Sequence, residues 1–221
     1  MAVIAVTSTI SSEGKTFISV NLAAITAMLG KKVLLIGLDL RKPRIDKVFE
    51  FQDSPGMSTF LSGNCGYEEI IRETQINNLF YAPSGPIPPN PAELIETEQM
   101  KKFMERAKKE FDYIIIDTPP VAIVTDTLLL APYVDVNLFI VRQRYTSRNT
   151  LEMIDQLNSH GELKNMAIVI NDISLSGYYG YGMRYGYTHG YGYSYGYNYY
   201  GSNYYGRYGY SDKAKGYYTQ D

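Results

Sequence analysis

The chain has 221 residues, a formal net charge of −2, one cysteine and no tryptophan. That length holds one α/β domain plus an extension. The near-neutral charge implies no basic surface for nucleic acid, the lone Cys65 excludes an internal disulfide and fits a reducing compartment, and no apolar run approaches the ~20 residues of a membrane span or forms a signal peptide.

The first apolar run, Val3 to Val6, predicts a short buried strand directly after Met1. So abrupt a start suggests a domain cut from a longer chain, a short natural protein being the other reading. A polar loop, Thr7 to Thr16, follows and ends in Gly14-Lys15-Thr16. Phe17 to Leu29 then predicts a helix with Leu22, Ile25, Ala27 and Leu29 on its apolar side, closed by Gly30. A loop that curls into a helix start offers free N–H groups to an anion. Lysine adds a point charge there, and threonine a hydroxyl ligand for Mg²⁺. The usual phosphate-loop pattern has a glycine five residues before Gly14; here that residue is Thr9.

Val33 to Ile36 predicts a second buried strand, left through Gly37-Leu38-Asp39-Leu40-Arg41-Lys42-Pro43-Arg44. An acid just past a strand end, beside cations, sits where open α/β sheets bind ligands. Ile45 to Phe51 predicts a short helix, and residues 54–75 helical pieces broken by Gly56, Gly63 and Gly66. Asn78 to Ala82 predicts a strand. A stiff proline loop runs from Pro83 to Pro91. Beyond it a helical segment opens at Ala92 and reaches Glu110, with Met100, Phe103, Met104 and Ala107 inward.

Asp112 to Pro120 predicts a central strand that ends in Asp117 and is turned aside by two prolines. An acid at such a strand end holds the Mg²⁺ hydration shell or a nucleophile in nucleotide-hydrolysing folds. Asp126 to Pro132 predicts a short helix and Val134 to Arg142 a strand. Thr146 to His160 predicts a helix with Leu151, Ile154 and Leu157 inward, and Met166 to Ile170 a last strand before Asn171. Alternating strands and helices predict an α/β fold: a mainly parallel sheet with helices on both faces. His160 and His189 have no metal-ligand spacing.

Residues 1–175 form one expected domain and 176–221 a Gly/Tyr-rich low-complexity tail. Seventeen of the 22 tyrosines lie between Tyr178 and Tyr218. Too few aliphatic side chains remain there for a core. A glycine-rich coil of 20 residues spans roughly 25 Å, enough to reach a neighbouring copy. The tail carries a net +2, which two phosphates of about −1.5 to −2 each would reverse. Tail phosphorylation is therefore expected to loosen an assembly of copies. The other reading of such a tail is self-association through aromatic contacts.

These pieces together resemble the cytoplasmic kinase domain of bacterial tyrosine kinases that control capsule and exopolysaccharide synthesis. Thr7 to Thr16 matches that family's Walker A motif, Val33 to Arg44 its Walker A′ segment, and Gly85 to Leu94 its Pro-Pro-Asn-Pro-x-Glu-Leu loop. Tyr113 to Pro120 matches Walker B, and the terminal tyrosines match its tyrosine cluster. The resemblance implies ATP and Mg²⁺ as cofactors. It implies nucleotide binding by Ser11, Ser12, Glu13, Gly14, Lys15, Thr16, Phe17 and Asn171, the last near the adenine. It implies metal binding by Thr16, Asp39 and Asp117, and catalysis by Lys15, Asp39, Asp117 and Arg41. The implied phosphoacceptors are Tyr191, Tyr193, Tyr195, Tyr197, Tyr199, Tyr200, Tyr204, Tyr205, Tyr208 and Tyr210, modified mostly between copies.

Implied partners are other copies of the chain, a membrane-spanning activator region or protein, and a cognate tyrosine phosphatase, but no nucleic acid. The implied location is the cytoplasmic side of the inner membrane, this chain itself being soluble. Two departures stand out. The family's Walker A′ carries Asp-x-Asp, and Gly37 takes the first place here. The family's ring-forming helix precedes the first strand, so a ring is expected of a full-length protein rather than of this chain. Two other functions remain open. One is a partitioning or division-type ATPase that dimerises on ATP; its loop lysine would fall at Ile10. The other is a catalytically weak nucleotide-binding scaffold, suggested by Gly37.

Overall fold

Apolar runs of four or five residues, bounded by polar turns, become strands buried on both faces. The computed structural model describes residues 1–49, 54–163 and 165–174. In chain order the elements are β1 (Ala2–Ser8), α1 (Lys15–Met28), β2 (Val33–Gly37), α2 (Ile45–Val48), α3 (Met57–Leu61), α4 (Tyr67–Ile70), β3 (Arg72–Glu73), β4 (Leu79–Ala82), α5 (Pro91–Ile95), α6 (Glu98–Glu110), β5 (Tyr113–Asp117), α7 (Asp126–Leu129), β6 (Val136–Arg142), α8 (Thr150–Ser159) and β7 (Met166–Asn171). A 3₁₀ turn, Ala131–Tyr133, leads into β6. The expected Ile45–Phe51 helix runs to Val48, and Phe51 lies outside the described residues. The tail and its ten named phosphoacceptors lie outside them too.

The strands form one sheet in the order β3-β4-β2-β5-β1-β6-β7. All neighbours are parallel except the two-residue β3, which runs antiparallel to β4. β3 is a correction to the helical reading of residues 54–75. Two residues carry no periodicity, so only pairing with β4 reveals them. The α/β expectation otherwise holds, and β5 lies at the centre between β2 and β1.

Side chains alternate between two cores, as pleated strands require. Leu34 and Ile36 of β2 and Ile114 and Ile116 of β5 face the α3–α6 side. There they meet Met100, Phe103, Met104 and Ala107, the predicted inner stripe of α6. Val33, Leu35 and Ile115 face α1. The expected single helical segment after the proline loop is two helices. Thr97 breaks it with an extended backbone and caps α6, its hydroxyl accepting the Met100 N–H at 3.4 Å.

Two predicted helix faces hold only in part, Ala27 of α1 and Ile154 of α8 being buried as expected. α1 buries Lys15, Ser19, Ala23 and Ala27, whereas Ile25 is 47% and Leu29 76% exposed. Small residues at four-residue spacing let α1 lie close on the sheet, and a search for bulky apolar residues misses them. In α8 the buried residues are Thr150 and Ile154, and Leu151 is 56% exposed.

Phe103 is fully buried and makes ring contacts to Phe60 at 5.6 Å and Tyr67 at 5.3 Å. Phe103→Ala is expected to lower unfolding free energy by about 3–5 kcal/mol in urea titrations. A loss below about 1 kcal/mol would contradict this packing.

Candidate nucleotide site

The site lies where β1, β2 and β5 end side by side. Val6 of β1 is in register with Asp117 of β5, and Gly37 of β2 with the same Asp117. The loop between β1 and α1 rises from this edge. Ser12 (φ 67°) and Gly14 (φ 104°) both take left-handed backbone conformations, the geometry that turns successive N–H groups inward around an anion. A side chain at Gly14 would be strained at this φ and would displace the Asn171 amide, 2.0 Å from a Cβ placed there. The first N–H groups of α1 have no intrahelical acceptor and lie at the positive end of its dipole.

Three side chains from the β6 and β7 ends brace the loop. Asn171 Nδ2 donates to the Glu13 carbonyl at 3.0 Å, Arg142 donates to the Ser12 carbonyl at 3.0 Å, and the Thr146 hydroxyl donates to the Glu13 carboxylate. Glu13 is fully buried, and its other oxygen accepts the Ile10 N–H at 2.8 Å. Glu13 thus acts as an internal tie of the loop. Sequence reasoning missed Arg142 and Thr146; they lie some 130 residues from the loop, and only the parallel β1–β6–β7 register brings them to it.

Lys15 folds back into the loop. Its Nζ donates to Ser8 Oγ at 3.0 Å and lies 3.5 Å from the Ile10 carbonyl. Burial pushes its pKa down, against the pull of Asp117, Asp39 and Glu13. Asp117 is buried; its carboxylate accepts from Thr16 Oγ1 at 2.8 Å and from Ser19 Oγ at 3.2 Å. Burial raises its pKa to about 7, opposed by Lys15 and by the Thr16 and Ser19 hydroxyls. Asp39 is half-buried, accepts the Lys42 N–H at 3.0 Å, and is raised mainly by burial. Lys15, Thr16, Asp39 and Asp117 therefore share one site.

The other expected residues divide. The Ser11 hydroxyl is buried with no hydrogen-bond partner among the described residues, as is that of Thr9; a bound phosphate would satisfy such groups. Phe17 is 40% exposed on the first turn of α1. Arg41 forms a bidentate ion pair with the fully buried Asp126 of α7, at 2.9 and 3.0 Å. Asp126 was read in the sequence only as the start of a short helix.

The donor set fits Mg²⁺. It consists of oxygens only, a threonine hydroxyl and two carboxylates. Among the described residues no group of three His, Cys, Asp or Glu side chains forms a cage. Mg²⁺ takes one or two carboxylates and completes its shell with phosphates and water.

Comparisons with known proteins agree with this geometry. A family model described as "AAA domain" matches residues 1–170. The tyrosine-protein kinase ptk of Acinetobacter johnsonii is 39% identical over 167 residues, 75% of this chain but 23% of that protein's length. The tyrosine-protein kinase CpsD of Streptococcus agalactiae is 35% identical over 188 residues, 82% of each chain. The kinase domain of the Escherichia coli tyrosine kinase ETK superposes with a TM-score of 0.75 at 26% identity, covering 87% of this chain and 73% of that one. The septum site-determining protein MinD of Pyrococcus horikoshii shares the fold alone, at 18% identity and a TM-score of 0.64.

The raised Asp117 gives a signed prediction. Between its ordinary value of 3.8 and about 7 the folded chain keeps a proton that the unfolded chain has released. Stability from this group therefore falls as pH rises through that window. Asp117→Asn is expected to raise the melting temperature of the nucleotide-free chain by about 5 °C at pH 8 and by far less at pH 5. A lower melting temperature at pH 8 would contradict it. By sequence, fold and the residues gathered at its strand ends, this chain belongs to the bacterial tyrosine-protein kinase family, of which it carries the P-loop AAA domain.

Proposed function

We propose that the chain is an ATP- and Mg²⁺-dependent protein-tyrosine kinase that phosphorylates the Gly/Tyr-rich segments of neighbouring copies. The observation that carries this reading is the hydrogen bond from Thr16 to the buried Asp117, beside Lys15. The names of the relatives, tyrosine-protein kinases, support it from outside. Phosphoryl transfer asks little covalent chemistry of a protein; position and neutralised charge supply most of the rate.

In this reading Lys15 leaves Ser8 and Ile10 to hold the β- and γ-phosphates. The loop N–H groups wrap the phosphates, and Asn171 lies on the adenine side. Thr16, Asp39 and Asp117 would hold the cation. When bound, Mg²⁺ offsets the charge that builds on the transferring group. The phenol oxygen of an incoming tyrosine forms the new bond to the γ-phosphorus as the bond to ADP breaks. Asp39 is the carboxylate available for the phenolic proton. Arg41 keeps the Asp39 loop against α7 through its ion pair with Asp126.

The wider setting follows the same reading. The activity regulates capsule or exopolysaccharide synthesis and export at the cytoplasmic membrane face. A membrane-spanning activator and a phosphatase act on the chain, and other copies are its substrates. Among the described residues no helix is long and apolar enough to cross a membrane.

Incubation with ATP and Mg²⁺, followed by phosphotyrosine detection, tests the reading. Wild type is expected to label its own tail, and Lys15→Met to label at least ~100-fold more slowly. A size-tagged Lys15→Met chain mixed with wild type is expected to become labelled, as transfer between copies requires. ATP hydrolysis without phosphotyrosine would favour a dimerising ATPase switch. Nucleotide binding with neither would favour a scaffold.

A further inference from the structure

Gly37 ends β2 in register with Asp117, so a side chain at position 37 would rise on the same face of the sheet as the Asp117 carboxylate. That space is taken. A Cβ at 37 would lie 2.6 Å from Ser84 Oγ and 3.0 Å from the Tyr81 hydroxyl oxygen. Tyr81 of β4 is fully buried and donates its hydroxyl to the carboxylate of Asp46, on α2. The same Asp46 oxygen accepts the Ser84 N–H at 3.1 Å, and Asp46 is 6% exposed. The field of Asp117 reaches the Tyr81 phenol.

A buried carboxylate is a costly way to fasten a four-residue helix to a sheet. The surrounding core is otherwise built largely from Val33, Leu35, Leu79, Ile115 and similar apolar residues. An apolar side chain at either position would pack there without that cost. The polar group lies at the strand ends, where open sheets of this kind take their ligands. It also lies beside Gly37, the end of the strand whose expected acid is missing.

We propose that Tyr81 and Asp46 are positioning residues of the phosphoryl-transfer site. Together with Ser84 they fill the place of the absent side chain at 37 and fix the polar surroundings of Asp117 for a metal–triphosphate complex. The inference rests on the kinase reading for its reaction, but not for its binding readout. Neither residue need touch the substrate. The chain thereby brings the strand-end acid from α2, through a phenol on β4, instead of from β2 itself.

The test uses the full chain, with folding checked by thermal melting, and fluorescent ADP titrated with and without Mg²⁺. Tyr81→Phe and Asp46→Asn are each expected to cut the Mg²⁺ enhancement of ADP affinity about tenfold, with Mg²⁺-free affinity within about twofold of wild type. Tail phosphorylation is expected to fall, with the KM for ATP in the presence of Mg²⁺ rising in step with the lost enhancement. Adding Gly37→Asp to the set Tyr81→Leu, Asp46→Ala and Ser84→Ala is expected to recover most of the enhancement, because neither the phenol nor the Ser84 hydroxyl then blocks position 37. Unchanged Mg²⁺ enhancement in both single variants would overturn the proposal and leave a structural lock. So would a loss that Gly37→Asp does not recover in a folded chain. If the enhancement behaves as expected but wild type makes no phosphotyrosine, the kinase reading fails and the positioning role stands.

Discussion

The hydrogen bond from Thr16 to the buried carboxylate of Asp117 joins the two halves of the site. One partner opens α1 and the other closes β5, and 101 residues separate them. The contact depends on β5 lying between β1 and β2, which the parallel register enforces. Without a cation, the hydroxyls of Thr16 and Ser19 and the charge of Lys15 compensate the buried acid, and its pKa remains raised. The fold thus tolerates an unfavourable buried charge at the strand end. A cation there would relieve it, which is how a site can trade stability for affinity.

The loop above Asp117 is held by a second set of contacts that carries no catalytic group. Glu13 turns inward to the Ile10 N–H and Thr146, while Arg142 and Asn171 hold two carbonyls of the same loop. These ties fix the left-handed residues Ser12 and Gly14 before any ligand arrives. A cradle already shaped loses less entropy on binding than a floppy loop. Lys15, stored against Ser8 and Ile10, is the part of the loop left to move.

Much of this was legible in the sequence because its signals are local. Apolar runs such as Val33 to Ile36 mark strands, and Gly14-Lys15-Thr16 with Asp117 marks the phosphate and metal ends. The positions of α1 and α6 follow from their spacing and flanking residues. What stayed hidden is non-local or small. The packed face of α1 is Ser19, Ala23 and Ala27, which no search for bulky residues finds. The Arg41–Asp126 pair spans 85 residues, and the Tyr81–Asp46 contact spans 35. Each depends on which strands lie side by side, which spacing alone does not encode. Gly37 could be read as a departure, but not that Ser84 and Tyr81 fill the space beside it.

The most direct measurement is a crystal structure of the chain with Mg²⁺ and a non-hydrolysable ATP analogue. Lys15 Nζ is expected to exchange Ser8 Oγ and the Ile10 carbonyl for phosphate oxygens. Thr16 Oγ1 is expected to turn from Asp117 to the cation while Asn171 and Arg142 keep their carbonyl partners. A nucleotide bound elsewhere, with Lys15 and Thr16 still on their present partners, would contradict it.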